Sequence, residues 1–376
     1  MANVQEKKPL THAERIRIAV AAAFALLLLG AAAATWYFRD ELFGAQEHIL
    51  SVGQTESRLA YSYEPGAGQC FAMAGKNLAA VTGSGFSLFG PDGTLLGSTV
   101  TALQTPTVDG CAAYAAVFDQ GGQSLWFAEA DGTVTSRTAA GDILCLHCSP
   151  SGHAALVTRE AGYRAVVTVL DSAHSEVWRW YCSTAYVVSA RVSPDGRMIA
   201  VLCLDSRGSE VRIFSLSSET QQAAFSVSDT VCADLHWFSA DRLCVYSAER
   251  VQFFSADGVW SATYDFADNY PIFCKAADSF LCFALSPYRS GSVCTVVALD
   301  SSGREIAAID EKQEILSLDA ANGEILIFDT AGAAMYSSTG VLRGRLSDVT
   351  GFRSALIRNK GEALLLASGF AEVYKF

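Results

Sequence analysis

The sequence predicts an all-β fold: an eight-bladed β-propeller of four-stranded antiparallel blades, preceded by one transmembrane helix. Three observations lead there. Turns bearing glycine or aspartate recur near Gly75, Gly110, Gly152, Gly196, Asp241, Asp278, Gly323 and Gly361. Their spacing of about 40 residues is that of a four-stranded blade. A second series of turns interleaves with the first: Pro91–Gly93, Ala130–Gly132, Ala256–Gly258, Ser301–Gly303 and Ser338–Gly340 each end in glycine, which reaches φ > 0 without steric cost. Ser172–Ser175 and Ser217–Thr220 fill the same place without one. Finally, the last unit, Thr350–Phe376, holds three strands (Phe352–Ile357, Glu362–Ala367, Ala371–Phe376), while a spare strand, Ser57–Tyr63, stands ahead of the first. Pairing the two closes the ring and removes exposed sheet edges. Seven blades is the alternative, one weak unit then being an insertion.

From the start of the chain, the reading is a cytoplasmic tail over 1–17, a transmembrane helix over 18–38, a polar spacer over 39–56 and the propeller over 57–376. Ile18 to Phe38 is free of charge and bracketed by Arg17 and Arg39. At about 1.5 Å per residue it spans about 30 Å, the hydrocarbon thickness of a bilayer. Trp36 and Tyr37 sit where an interfacial aromatic belt belongs. Lys7, Lys8, Arg15 and Arg17 precede the segment, whereas Asp40 and Glu41 follow it. The positive-inside rule therefore keeps the tail in the cytoplasm and puts the propeller outside. The rival is a cleaved signal peptide with small residues at Ala31–Ala34, against which the apolar run continues through Trp36-Tyr37-Phe38. No lipid-anchor cysteine follows the run.

With 51% hydrophobic and 18% charged residues, the chain has ample surface to bury. Its net charge is −12 although the first 38 residues carry +2, so the acidity lies in the propeller. Such a domain repels phosphate backbones, which argues against nucleic-acid binding.

The clearest repeat unit runs from Arg191 to Phe214. Arg191–Ser193 reads as a short strand and Pro194-Asp195-Gly196 as a turn. Met198–Leu204 is an apolar second strand, Asp205–Glu210 a polar loop and Val211–Phe214 an alternating third strand.

Side chains with chemical potential are few. Cys70, Cys145, Cys232 and Cys274 fall in first strands, and Cys203, Cys244 and Cys282 in second strands. Small apolar residues fit near a propeller axis, and a thiol behaves there as one. Core thiols are the leading reading of the eleven cysteines; one or two disulfides, or a zinc site, are the alternatives. Cys145-Leu-His-Cys148 has CxxC spacing, but in a strand residues three apart face opposite sides. His147, His153, His174 and His236 show no ligand spacing, and His153 and His174, in turns, are expected to be exposed. No GxSxG elbow and no DxDxDG calcium loop is present, so no catalytic, cofactor or metal residue is assigned.

Val192-Ser-Pro-Asp-Gly-Arg-Met-Ile-Ala-Val201 resembles the blade signature of WD40-like and TolB-type bacterial propellers. Leu170-Asp171-Ser-Ala-His-Ser-Glu-Val-Trp178 is similar to the quinoprotein-type blade element, an Asp followed seven residues later by a Trp. The layout resembles an uncharacterised family of bacterial proteins with one membrane helix and an outside propeller. Quinoprotein dehydrogenases carry long insertions and a vicinal disulfide; this chain has neither adjacent cysteines nor room at about 40 residues per blade, so the likeness is to the repeat alone.

In propellers, partners dock where second-to-third-strand loops and blade-to-blade loops gather. Here that face collects Asp119, Glu160, Tyr163, Asp205, Arg207, Tyr288 and Arg289 from the first loop set, and Tyr186, Asp268, Asn269 and Tyr270 from the second. Tyr and Arg give large contact area with a polar end. The partner-binding choice is Tyr288, Arg289, Arg207, Tyr163, Tyr186, Asp268 and Tyr270, with Ser286–Ser292 as the leading loop. The function expected is a non-catalytic scaffold outside the membrane, docking a protein or cell-envelope partner. A small-ligand or sugar sensor at the channel mouth, and a lyase or hydrolase, are the alternatives.

Overall fold

The computed structural model describes residues 49–50, 60–218, 220–227, 231–277, 279–347 and 349–376. The expected tail, the transmembrane segment Ile18–Phe38, nearly all of the spacer and the turn residue Asp278 lie outside them. Among the described residues no helix is long and apolar enough to cross a membrane.

Eight sheets are described, and in the first seven the four blade strands follow chain order and pair antiparallel. Blades 1 to 7 are formed by residues 70–100, 106–138, 142–182, 186–226, 232–265, 270–311 and 315–347. Blade 8 takes Phe352–Asn359, Glu362–Ala367 and Phe370–Lys375 from the end of the chain and Ala60–Ser62 from its beginning. Tyr61 faces Ala371 in that antiparallel pairing. First strands of neighbouring blades lie side by side except between blades 5 and 6, and Cys70–Ala74 of blade 1 meets Phe352–Asn359 of blade 8, closing the circle. The count is therefore eight, with the ring sealed by the two chain ends as the leftover strand predicts.

Burial explains which residues form which strand. Second strands such as Asn77–Thr82, Phe280–Ser286 and Glu324–Asp329 are buried along their whole length, so they read as unbroken runs. Fourth strands such as Leu95–Val100, Gln221–Ser226 and Trp260–Asp265 lie on the rim and are largely exposed. The core sits between blades. Tyr61, Tyr63, Phe89, Leu364 and Leu366, for example, weld blade 8 to blade 1.

Two expectations about strand limits are corrected. The first strand of blade 4 is Tyr186–Val192 rather than Arg191–Ser193, because a β-bulge between Val187 and Ser189 breaks its alternation. The loop Asp205–Glu210 contracts to a two-residue hairpin, since Asp205 pairs directly with Gly208, whose φ of 114° suits glycine. Within the expected spacer, Ile49–Leu50 pairs in parallel with Arg345 and Leu346 at the rim of blade 7.

Candidate functional site

One end of the ring carries the second-to-third-strand loops and the blade junctions. Three of the partner-binding residues chosen from sequence meet there in one cleft of about 630 Å³ between blades 5 and 6. Asp268 comes from the junction, Tyr270 opens the first strand of blade 6, and Arg289 comes from the long loop of that blade. The Arg289 guanidinium lies 5.2 Å from the Tyr270 ring centre, a cation–π distance. The junction is held open by consecutive left-handed residues, Ala267 at φ 50° and Asp268 at φ 66°. Asp265 accepts the Ala267 N–H at 2.9 Å, and Asn269 donates its side-chain amide to the Phe266 carbonyl at 2.8 Å, offsetting that strain. Glu249, Arg250 and Ile272 complete the walls. Tyr288, next to Arg289, is exposed.

A second patch spans blades 3 and 4. Tyr163 packs on Tyr181 with ring centres 4.7 Å apart, and Arg164 lies 4.6 Å over Tyr186. Arg179 stands 6.0 Å over Tyr181. Tyr163, Tyr181 and Tyr186 are 42%, 47% and 58% exposed, so the patch is large, aromatic and uncovered. Arg164, Tyr181, Arg179, Glu249 and Arg250 were not among the sequence choices. Arg164 adjoins Tyr163 and was legible; Tyr181 sits on a fourth strand, which the loop-based reading left out.

Other chosen residues serve their own loops. Arg207 grips Asp205 at 2.8 Å inside its hairpin. Asp119 accepts the N–H groups of Gln104 and Thr105, at 2.9 and 2.8 Å, and Glu160 accepts the Thr158 hydroxyl at 3.0 Å.

The channel holds what the sequence reading missed. The innermost strands carry charged residues as well as thiols. In the upper half, a cavity of about 640 Å³ is lined by Gln69, Phe71, Phe273, Lys275, Arg353 and Ser354, among others. Lys275 lies 3.8 Å from Asp319, whose carboxyl is pushed up by burial although Lys275 and the Ile357 N–H oppose this. In the lower half, a cavity of about 600 Å³ exposes Asp109, Cys111, Cys148, Arg191 and His236. Arg191 donates to both carboxylate oxygens of Asp234, at 2.6 and 3.2 Å, and the Tyr246 hydroxyl donates to Asp234 at 3.2 Å. Burial works against the Asp234 charge, but Arg191 outweighs it and holds the carboxyl well below its ordinary range. Asp109 is likewise pushed up by burial, yet His147, 3.8 Å away, and the Cys148 N–H outweigh this and lower it from its ordinary value. His236 bonds the Ala277 carbonyl at 3.2 Å; burial, then the Arg191 charge, depress it to about 4.

Among the described residues all eleven cysteines are free thiols, and no three His, Cys, Asp or Glu side chains gather as a metal site. Cys203, Cys244 and Cys282 are fully buried core residues. Cys145 and Cys148 diverge, Cys145 pointing to the Val188 carbonyl and Cys148 to Cys111. His174, expected to be exposed, is corrected: its side chain is 9% exposed, stacked 3.8 Å from Phe127 and hydrogen-bonded to Glu129. Its left-handed φ of 59° folds the turn back over blade 2.

Solved structures share this architecture. BamB from Moraxella catarrhalis superposes with a TM-score of 0.55 at 12% identity, over 86% of this chain and 99% of that one. The C-terminal WD40 domain of Sif2 gives 0.58 at 9% identity, over 86% and 98%. The computationally designed Ika8 protein gives 0.59 at 12% identity, over 85% and 100%. At such identities the likeness establishes the propeller fold. No curated protein matches the chain in sequence. A model of a family of unknown function, DUF5711, matches residues 55–349.

Proposed function

We propose that this chain, which belongs to the DUF5711 family of unknown function, is a non-catalytic docking scaffold that engages a protein partner of the cell envelope through the loop face of its propeller. In this reading Ile18–Phe38 anchors it and the propeller lies outside the membrane. The observation that carries the proposal is the convergence of Tyr270, Arg289 and Asp268 in one cleft, with a second exposed Tyr–Arg patch on the same face. Interface hot spots are enriched in Tyr and Arg. The mixed charges of Arg250, Arg289, Glu249 and Asp268 suit a polar polypeptide segment rather than a uniformly charged polymer. The test compares crosslinked capture from membranes by the wild-type chain and by Tyr270→Ala/Arg289→Ala. A specific partner should be lost about tenfold in the variant. Capture undiminished by the variant would overturn the reading. Protease added outside intact spheroplasts should degrade the propeller; full protection would refute the outside placement.

A second reading is a small acidic ligand or sugar held in the upper channel, favoured by Lys275 and Arg353 beside Phe71 and Phe273. Glucuronate raising the melting temperature of the wild type but not of Lys275→Met would support it. A hydrolase or lyase reading is weaker, because Asp234, Arg191 and His236 of the lower channel are engaged with one another or with the backbone.

A further inference from the structure

Cys111 and Cys148 come from neighbouring blades and meet at the lower mouth of the channel. Cys111 follows the first strand of blade 2, Pro106–Gly110. Its carbonyl accepts the Gly75 N–H and its N–H bonds the Tyr114 carbonyl, both at 3.0 Å, so its backbone is fixed. Cys148 ends the first strand of blade 3, Asp142–Cys148, and its N–H donates to the Asp109 carboxylate at 2.8 Å. Asp109, two residues before Cys111, thus ties the two strand ends together. The result is a pair of thiols packed on the same core cluster, both lining the cavity of about 600 Å³.

We propose that Cys111 and Cys148 form a redox-active dithiol, which closes to a disulfide between blades 2 and 3 by exchange with a small disulfide entering the lower channel. The division of labour follows from the unlike surroundings of the two thiols. The neighbouring Cys148 thiol lowers Cys111 against burial, while the same pairing and burial push Cys148 well above the ordinary thiol range. Cys111 is the attacking thiolate and Cys148 the resolving thiol. The Cys111 thiolate attacks one sulfur of the entering disulfide, that S–S bond breaks, and one thiolate leaves and takes up a proton. Cys148 then loses its proton, attacks the Cys111 sulfur and expels the second thiolate. Two protein thiols and one small disulfide become one protein disulfide and two small thiols.

Cys182 and Cys203 supply an internal comparison. They too pack together across a blade boundary, between blades 3 and 4, but they are 2% and 1% exposed. The same contact without access should exchange slowly in the folded protein.

The probe is oxidised glutathione, added to the reduced full-length chain, with maleimide quenching and non-reducing peptide mapping by mass spectrometry. The expected result is a Cys111–Cys148 crosslinked peptide that accumulates before any Cys182–Cys203 peptide and disappears with dithiothreitol. In Cys148→Ser, Cys111 should stop as a stable glutathione mixed disulfide. Wild-type protein in which both cysteines keep maleimide, or carry separate glutathione adducts, overturns the proposal whatever the variant does. Crosslinking of Cys182–Cys203 first overturns the role given to the channel.

Discussion

Arg191 and Asp234 show how the channel tolerates charge on its innermost strands. The pair is 25% and 19% exposed, and its two hydrogen bonds plus the Tyr246 hydroxyl satisfy the carboxylate. Removing one partner leaves the other charge stranded, which costs more than the pair is worth. Asp234→Ala should therefore lower stability by about 3 kcal/mol in urea unfolding, and Arg191→Met/Asp234→Met should recover part of that loss. His236 gives a pH signature. Its folded pKa of about 4 lies below the ordinary 6.5, so between those values the unfolded chain binds the extra proton. Stability from this group is complete above pH 6.5 and is lost as pH falls toward 4, by at most about 3 kcal/mol. His236→Gln should flatten that part of the stability–pH curve; an unchanged slope would refute the assignment.

The blade is the element on which the fold repeats, and its turns set what can be changed. In blade 7, a Cβ at Gly332 would stand 1.9 Å from the Leu346 carbonyl oxygen, backbone that cannot step aside. Gly332→Ala should destabilise by several kcal/mol on strain grounds, with Gly121→Ala, whose Cβ meets nothing within 4 Å, far milder despite its φ of 86°. Differential scanning calorimetry of the two variants checks the ordering. Most of the turns were legible because glycine marks them directly. The upper ends of first strands were not, for bulges at Ile143/Cys145, Val187/Ser189, Cys232/Asp234 and Ile315/Ser317 reset the alternation that the eye follows. Asp109, Arg191, Asp234 and Asp319 went unread as a channel lining for a different reason: a charge on an inner strand looks like an exception to core packing until the channel is seen. Tyr270, Arg289 and Asp268 were legible because topology alone fixes which loops share a face.

Across the whole molecule, the ring is sealed by the pairing of Ala60–Ser62, as far as the described residues show it, along Phe370–Lys375. Side chains reinforce it. Tyr61 is fully buried, and the Tyr63 hydroxyl donates to the Ala367 and Phe370 carbonyls at 2.8 and 2.6 Å. Tyr61 and Tyr63 pack in one cluster with Leu364 and Leu366 of blade 8 and Leu78 and Phe89 of blade 1. Without Ala60–Ser62, Phe370–Lys375 becomes a free edge that pairs with a second copy. A chain beginning at residue 49 keeps the closing strand and should stay monodisperse, unfolding in one cooperative step. One beginning at residue 64 lacks it and should associate, with a lower and broader melting transition; light scattering and calorimetry separate the two. Tyr61→Ala in the longer chain should reproduce part of the loss, about 3–5 kcal/mol, without opening the edge. If the chain beginning at residue 64 proves as monodisperse and as cooperative as the longer one, closure does not hold the ring together, and the packing between blades alone must do so.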